Sequence, residues 1–101
     1  MIISSQRYLD DATVAQKRAD RDYVVSVSPV FQLDGAECQV VLDGHHSLAA
    51  AQADGGEPEY VEADATDDDR VGLINEALSD FLTVCWADSD WYDIATGVDA
   101  F

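Results

Sequence analysis

The sequence predicts a small α/β domain of the α+β type, a mixed sheet with flanking helices, and three observations predict it. Two β-prone runs meet at Asp34-Gly35, a good hairpin signal. The returning strand ends in Val40-Val41-Leu42 and passes through Asp43-Gly44 into an alanine-rich segment, the order strand, glycine turn, helix. Between Arg70 and Cys85 the apolar residues Val71, Ile74, Leu78, Phe81, Leu82 and Cys85 recur at helical spacing, an amphipathic stripe suited to cover a sheet. With 101 residues, no internal repeat and no long linker, the whole chain 1–101 is expected to be one domain with one modest core.

The elements follow in order. Asp10 and Asp11 are placed to cap a helix from Ala12 to about Ala19, with Val14, Ala15 and Ala19 inward and Lys17, Arg18 and Arg21 on a solvated face. Tyr23 to Leu33 is β-prone, and Pro29 marks an edge, a bulge or a break in it. Glu37 to Leu42 returns, the helix after Gly44 runs to about Asp54 and stops at Gly55-Gly56, and Glu59 to Ala63 makes a short third strand. Asp64 to Asp69 is an acidic turn whose carboxylates favour the start of the next helix, over about 70–85. The segment from Trp86 to Phe101 mixes aromatic residues with aspartates, either packed back on the domain or forming a contact surface.

Composition narrows the function. Apolar residues make up 48% of the chain, too many for a disordered acidic tail. Acidic residues number 21 against five lysines and arginines, a formal charge of -16. Such a field repels nucleic acid and anionic membrane, whose binding relies on Lys and Arg displacing counterions, so no direct nucleic-acid or membrane partner is expected. No apolar run approaches the roughly 20 residues that span a bilayer. Met1 to Ser5 lacks the charged and apolar regions of a secretion signal, which makes a cytoplasmic protein the expectation. Cys38 and Cys85 lie in apolar patterns and read as buried thiols rather than a disulfide or metal ligands.

The most informative segment is Asp43-Gly44-His45-His46-Ser47. A helix start offers unpaired N–H donors and the positive end of the macrodipole, which suits an anion such as phosphate. Adjacent residues leaving a strand point in different directions, so His45 and His46 are not expected to ligate one metal, and one of them is expected to fix the turn. Asp43 reads as a brace for the turn, and Ser47 has no evident histidine and carboxylate partners for nucleophilic work. Neither a catalytic set nor a metal site is predicted.

The run from Val40 through Asp43-Gly44-His45-His46-Ser47-Leu48-Ala49-Ala50-Ala51, with Gly55 and Tyr60-Val61 beyond it, resembles the ParB/sulfiredoxin-like superfamily over about residues 23–63. Members have a hairpin whose second strand ends close to D-G-H-H-R, then a helix, a glycine and another strand. The resemblance implies a mixed sheet with the motif helix against it, and a nucleoside triphosphate, with magnesium, held at Asp43, Gly44, His45, His46 and Ser47. Serine stands at position 47 where the family has arginine, which removes a charge-assisted phosphate contact worth about 1.5–3 kcal/mol. The sulfiredoxin cysteine is absent from the motif, so reductase chemistry is not implied.

These observations lead to a non-enzymatic acidic protein-binding module on a ParB-like scaffold, with no resident cofactor and a basic protein as partner. One concrete form is a nucleic-acid-mimicking inhibitor from a phage or mobile element. The candidate contact residues are Asp64, Asp67, Asp68 and Asp69 in the acidic turn, and Asp88, Asp90, Trp91 and Tyr92 near the end of the chain. The alternatives are a nucleotide-binding or nucleotide-hydrolysing ParB-like domain and an accessory partition protein acting through another DNA-binding chain. The charge alone also fits a solvated surface adapted to high salt.

Overall fold

A computed structural model describes residues 1–101. Its elements run β1 (Ile2–Ser4), α1 (Asp11–Asp20), β2 (Val24–Val27), β3 (Phe31–Leu33), β4 (Ala36–Asp43), α2 (His45–Asp54), β5 (Glu59–Glu62), a 3₁₀ turn (Asp69–Leu73), α3 (Leu78–Cys85) and β6 (Tyr92–Asp93). They form one α+β domain around a six-stranded mixed sheet ordered β5-β2-β4-β1-β6, with β3 paired beside β2 on the same flank of β4.

β4 is the organising strand, parallel to β1 and antiparallel to both β2 and β3. Its apolar residues are buried on both faces. Cys38, Val40 and Leu42 join Ile3, Phe31, Val71 and Phe81 in one core, while Val41 joins Val25, Val27, Leu48 and Ile94 in the other. A strand covered on both sides has no solvent face to mark with polar residues, which is why Val40-Val41-Leu42 is continuous. Asp34 and Gly35, both at positive φ, make the tight β3–β4 hairpin. Pro29 falls in a break between β2 and β3. There Ser28 bridges the gap, its N–H donating to the Val40 carbonyl and its buried hydroxyl accepting the Val40 N–H.

Two elements differ from expectation. The predicted continuous helix over 70–85 is a 3₁₀ turn, a further turn and the eight-residue α3. Gly72 and Asn75 are poor helix formers, and their weak propensity lies in the first half, where the break falls. All six stripe residues nevertheless reach the same core, because the chain re-enters the sheet face after the interruption. In α1 the half-buried residues are Thr13, Val14 and Lys17, whereas Ala15 and Ala19 are exposed. The helix packs on α2 rather than on the sheet, and the inter-helix groove selects a different stripe.

The segment after α3 is docked. Tyr92 and Asp93 pair with Ser4 and Ile3 as β6, and Ile94 is buried beside Val25 and Leu48. The Ser5 carbonyl accepts the N–H groups of Asp88 and Ser89, and the buried Ser5 hydroxyl accepts that of Ala87. Trp91 packs on the core, while Trp86 and Phe101 stay exposed. Both cysteines are free thiols, Cys38 buried and Cys85 half-buried, and burial raises both above the ordinary thiol range. No helix is long and apolar enough to cross a membrane.

Candidate functional site

Leu42 and Asp43 end the central strand β4, and Gly44 turns the chain into α2 in the left-handed region, φ 95°. An ideal Cβ at Gly44 would lie 2.6 Å from the Val24 carbonyl oxygen. Glycine is thus required by the approach of the turn to β2 as well as by its own conformation. Asp43 does brace its own turn: its carboxylate accepts the Gly44 N–H at 2.7 Å. No side chain caps α2, and Leu48 N–H is the first to find an intrahelical acceptor, at Gly44. The N–H groups of His45, His46 and Ser47 are left as the open donors of the helix start.

The two histidines diverge. His45 Nε2 is hydrogen-bonded to the buried Ser4 hydroxyl at 2.6 Å, joining α2 to β1. His46 Nε2 accepts the Asp10 N–H at 3.1 Å, joining α2 to the cap of α1. Each histidine anchors a distant element rather than its own turn, a pairing that spacing along the chain does not reveal. The Ser4–His45 contact is not a nucleophilic dyad: Ser4 is 1% exposed, and the crevice beside His45 holds only about 60 Å³. No three His, Cys, Asp or Glu side chains converge to hold a metal ion.

Burial lowers the His45 pKa below its ordinary value, since the imidazolium loses hydration that Asp43 only partly offsets. The unfolded chain therefore binds a proton more readily than the native one, and stability falls as pH drops from about 6.5 toward the lowered native value. Thermal melts between pH 7.5 and pH 5 are expected to decline through that window, at about the ordinary histidine range and below. The His45→Gln variant should flatten the slope there while lowering stability throughout. An unchanged slope would place the titrating group elsewhere.

Beside the turn lies a polar cleft of about 250 Å³ lined by Lys17, Asp22, Val24, Ser26, Asp43, Gly44, His46 and Ser47. Lys17 from α1, Asp22 from the loop after it, and Val24 and Ser26 from β2 are the members that sequence reasoning missed. Lys17 is the chain's one lysine, and its ammonium donates to Asp22 at 2.9 Å. That bond raises the Lys17 pKa and holds the Asp22 carboxyl below its usual range. A cation thus stands near the motif even though position 47 is serine, but an acid already holds it. Ser47 itself is 2% exposed.

The aspartates of the proposed contact surface divide by what they touch. Asp64 accepts the N–H groups of Thr66 and Asp67, and Asp67 returns the bond to Asp64 N–H. Asp68 caps the 3₁₀ turn and pairs with Arg70 at 2.7 Å, while Arg70 also donates to the Leu42 carbonyl. Asp88 accepts the Arg7 N–H. Tyr92 donates to the Gln6 carbonyl, and Arg7 lies 3.9 Å over its ring. Asp69 and Asp90 are exposed, and their carboxylates accept no intramolecular hydrogen bond, the Ser89 hydroxyl reaching only the Asp90 carbonyl. Trp91 is half-buried.

The site and sheet therefore define an α+β domain with a glycine-turn cleft at the start of its central helix. In comparisons with protein-family models, curated proteins and solved structures, no match was found.

Proposed function

We propose that the domain is a non-enzymatic acidic binding module that covers a basic surface on a protein partner. The supporting observation is the disposition of charge. Lys17, Arg18 and Arg70 are paired with Asp22, Asp54 and Asp68, and Arg7 is held by Tyr92, Asp99 and the Gly97 carbonyl. Only Arg21 is left without a side-chain partner. Many aspartates cap turns, because the short side chain reaches its own backbone. The glutamates Glu37, Glu57, Glu59, Glu62 and Glu76 make no such bonds and present unneutralised charge. A surface of this kind steers a cationic partner and repels nucleic acid. In its most concrete form the module imitates nucleic-acid charge against a nucleic-acid-handling protein, as an inhibitor carried by a phage or mobile element does. The ParB-like reading of the scaffold belongs to this proposal and rests on the Asp43 to Ser47 motif in its strand-turn-helix setting.

The test is a binding panel of purified basic nucleic-acid-handling proteins at about 20 mM salt, repeated up to about 200 mM, where the screening length falls from roughly 20 to 7 Å. Binding is expected to weaken by about tenfold or more over that range, and double-stranded DNA is expected to compete for the partner. No binding at the lowest salt overturns the proposal.

Lys17 at the cleft favours one second reading, that the turn holds the phosphates of a magnesium-bound nucleoside triphosphate. The variant Asp22→Asn releases Lys17 while keeping the acceptor for Val24 N–H. On this reading the variant binds magnesium with CTP, ATP or GTP about tenfold more tightly than the native chain, followed at the amides of residues 44–48. Silence of those amides in both proteins removes the reading.

A further inference from the structure

The two ends of the sheet are finished differently. Beyond β6, Asp99 bridges to Tyr92, Asp93 N–H donates to Val98 and Ala100 N–H to Trp91, so the chain's own hairpin covers that edge. β5 has β2 on one side and no strand on the other. Glu59 N–H donates to Tyr23 and Ala63 N–H to Val27, so alternation aims the N–H and C=O groups of Tyr60 and Glu62 outward. Every β5 residue is exposed, Tyr60 at 43% and Val61 at 46%. Beside Tyr60 lies a groove of about 420 Å³ lined by Ile2, Leu48, Pro58, Tyr60 and Ile94, with Glu57 and Asp93 among its polar residues.

We propose that this edge is the docking site, and that its occupant is an extended cationic segment of the partner. The segment adds as a strand beside β5 and lays one apolar side chain in the groove next to Tyr60. The inference rests on the acidic-binding reading and names its interface. Main-chain bonds to Tyr60 and Glu62 hold the strand, the groove selects an anchor, and Glu57, Glu59 and Glu62 select lysine or arginine around it. The same glutamates discourage a second copy, since two β5 edges side by side would oppose like charges.

The probe is a ten-residue peptide of alternating lysine and threonine around one phenylalanine, titrated into the full chain at about 20 mM salt and followed by amide NMR with hydrogen exchange. The expected result is saturable shifts at residues 58–63 with new exchange protection at Tyr60 and Glu62. Affinity should fall about tenfold in Glu62→Pro, which removes an outward donor without touching the ladder to β2. If that variant loses its native spectrum, the Glu59→Lys, Glu62→Lys double variant decides in its place, with the same loss expected. Shifts spread over the acidic surface and indifferent to both variants overturn the β5 site but leave the acidic-binding reading standing. No peptide binding at all overturns the β5 site, while the protein panel at low salt decides the acidic-binding reading separately. Dimerisation through β5 in the peptide-free protein, seen by sedimentation, also overturns the proposal by naming a second copy as the occupant.

Discussion

Phe81→Ala is expected to be the most damaging single truncation, costing about 3–5 kcal/mol. Phe81 is fully buried, and its ring meets Phe31 edge-on with centroids 5.7 Å apart and planes at 77°. It is the residue of α3 that enters the core shared by Ile3, Cys38, Val40 and Leu42, so its loss opens a cavity where the helix meets the sheet. Domains of this size have total stabilities of about 5–15 kcal/mol, and the change would lower the thermal midpoint by roughly 15 °C or more. Leu82→Ala, at a half-buried neighbour on the same helix, should cost clearly less. Equal and small effects from both would mean that α3 is not docked as described.

The second large effect is expected from Gly44→Ala. Two costs combine at that position. An alanine at φ 95° is strained by about 1–2 kcal/mol. Its Cβ would also fall 2.6 Å from a backbone oxygen of β2, an atom that no rotamer change can move aside. Shifting the turn or the strand adds about 1–3 kcal/mol. Gly35→Ala supplies the comparison, since Gly35 also has positive φ, 81°, with nothing within 4 Å of the added carbon. Denaturant unfolding should therefore show Gly44→Ala costing roughly 2–5 kcal/mol, against about 1–2 kcal/mol for Gly35→Ala. Similar values for the two would remove the close approach to Val24 as the reason for the glycine.

The Gly44 result bears on how the motif is understood. A glycine between a strand and a helix is a familiar way for a backbone to approach a phosphate. Here the approach that demands it is to Val24, within the fold itself. His45 and His46 likewise serve as ties to β1 and α1. Asp43, Gly44, His45 and His46 thus each have an architectural duty, and a ligand at the cleft would be an addition to those duties. The pH response of His45 is of the same kind, a consequence of burying an imidazole against Ser4.

Much of the fold was legible residue by residue because its signals are local. Asp34-Gly35 forces a hairpin, Gly55 supplies the left-handed end of α2 at φ 66°, and Asp10 caps α1 through Thr13. β1 was not legible. Ile2 to Ser4 is too short to show a period, and it becomes a strand because β4 and β6 offer bonds on both sides. The cleft was half legible: Asp43, Gly44, His46 and Ser47 come from one short segment, whereas His45 turns away to Ser4, and Lys17 and Asp22 reach the cleft only when α1 packs on α2.

The sequence by itself determined the α+β class, the hairpin, the glycine turn into α2, the apolar face of residues 71–85 and the acidic field. Each is written in propensity, periodicity or formal charge, which neighbours a few residues apart carry. Only the tertiary structure decided that β4 lies inside the sheet and that the stripe over 71–85 is delivered by a 3₁₀ turn and a short helix. It also decided which acids are consumed in turns and that β5 is left bare while β6 is covered. Those outcomes depend on contacts between segments distant in the chain, where burial and strand pairing override local preference.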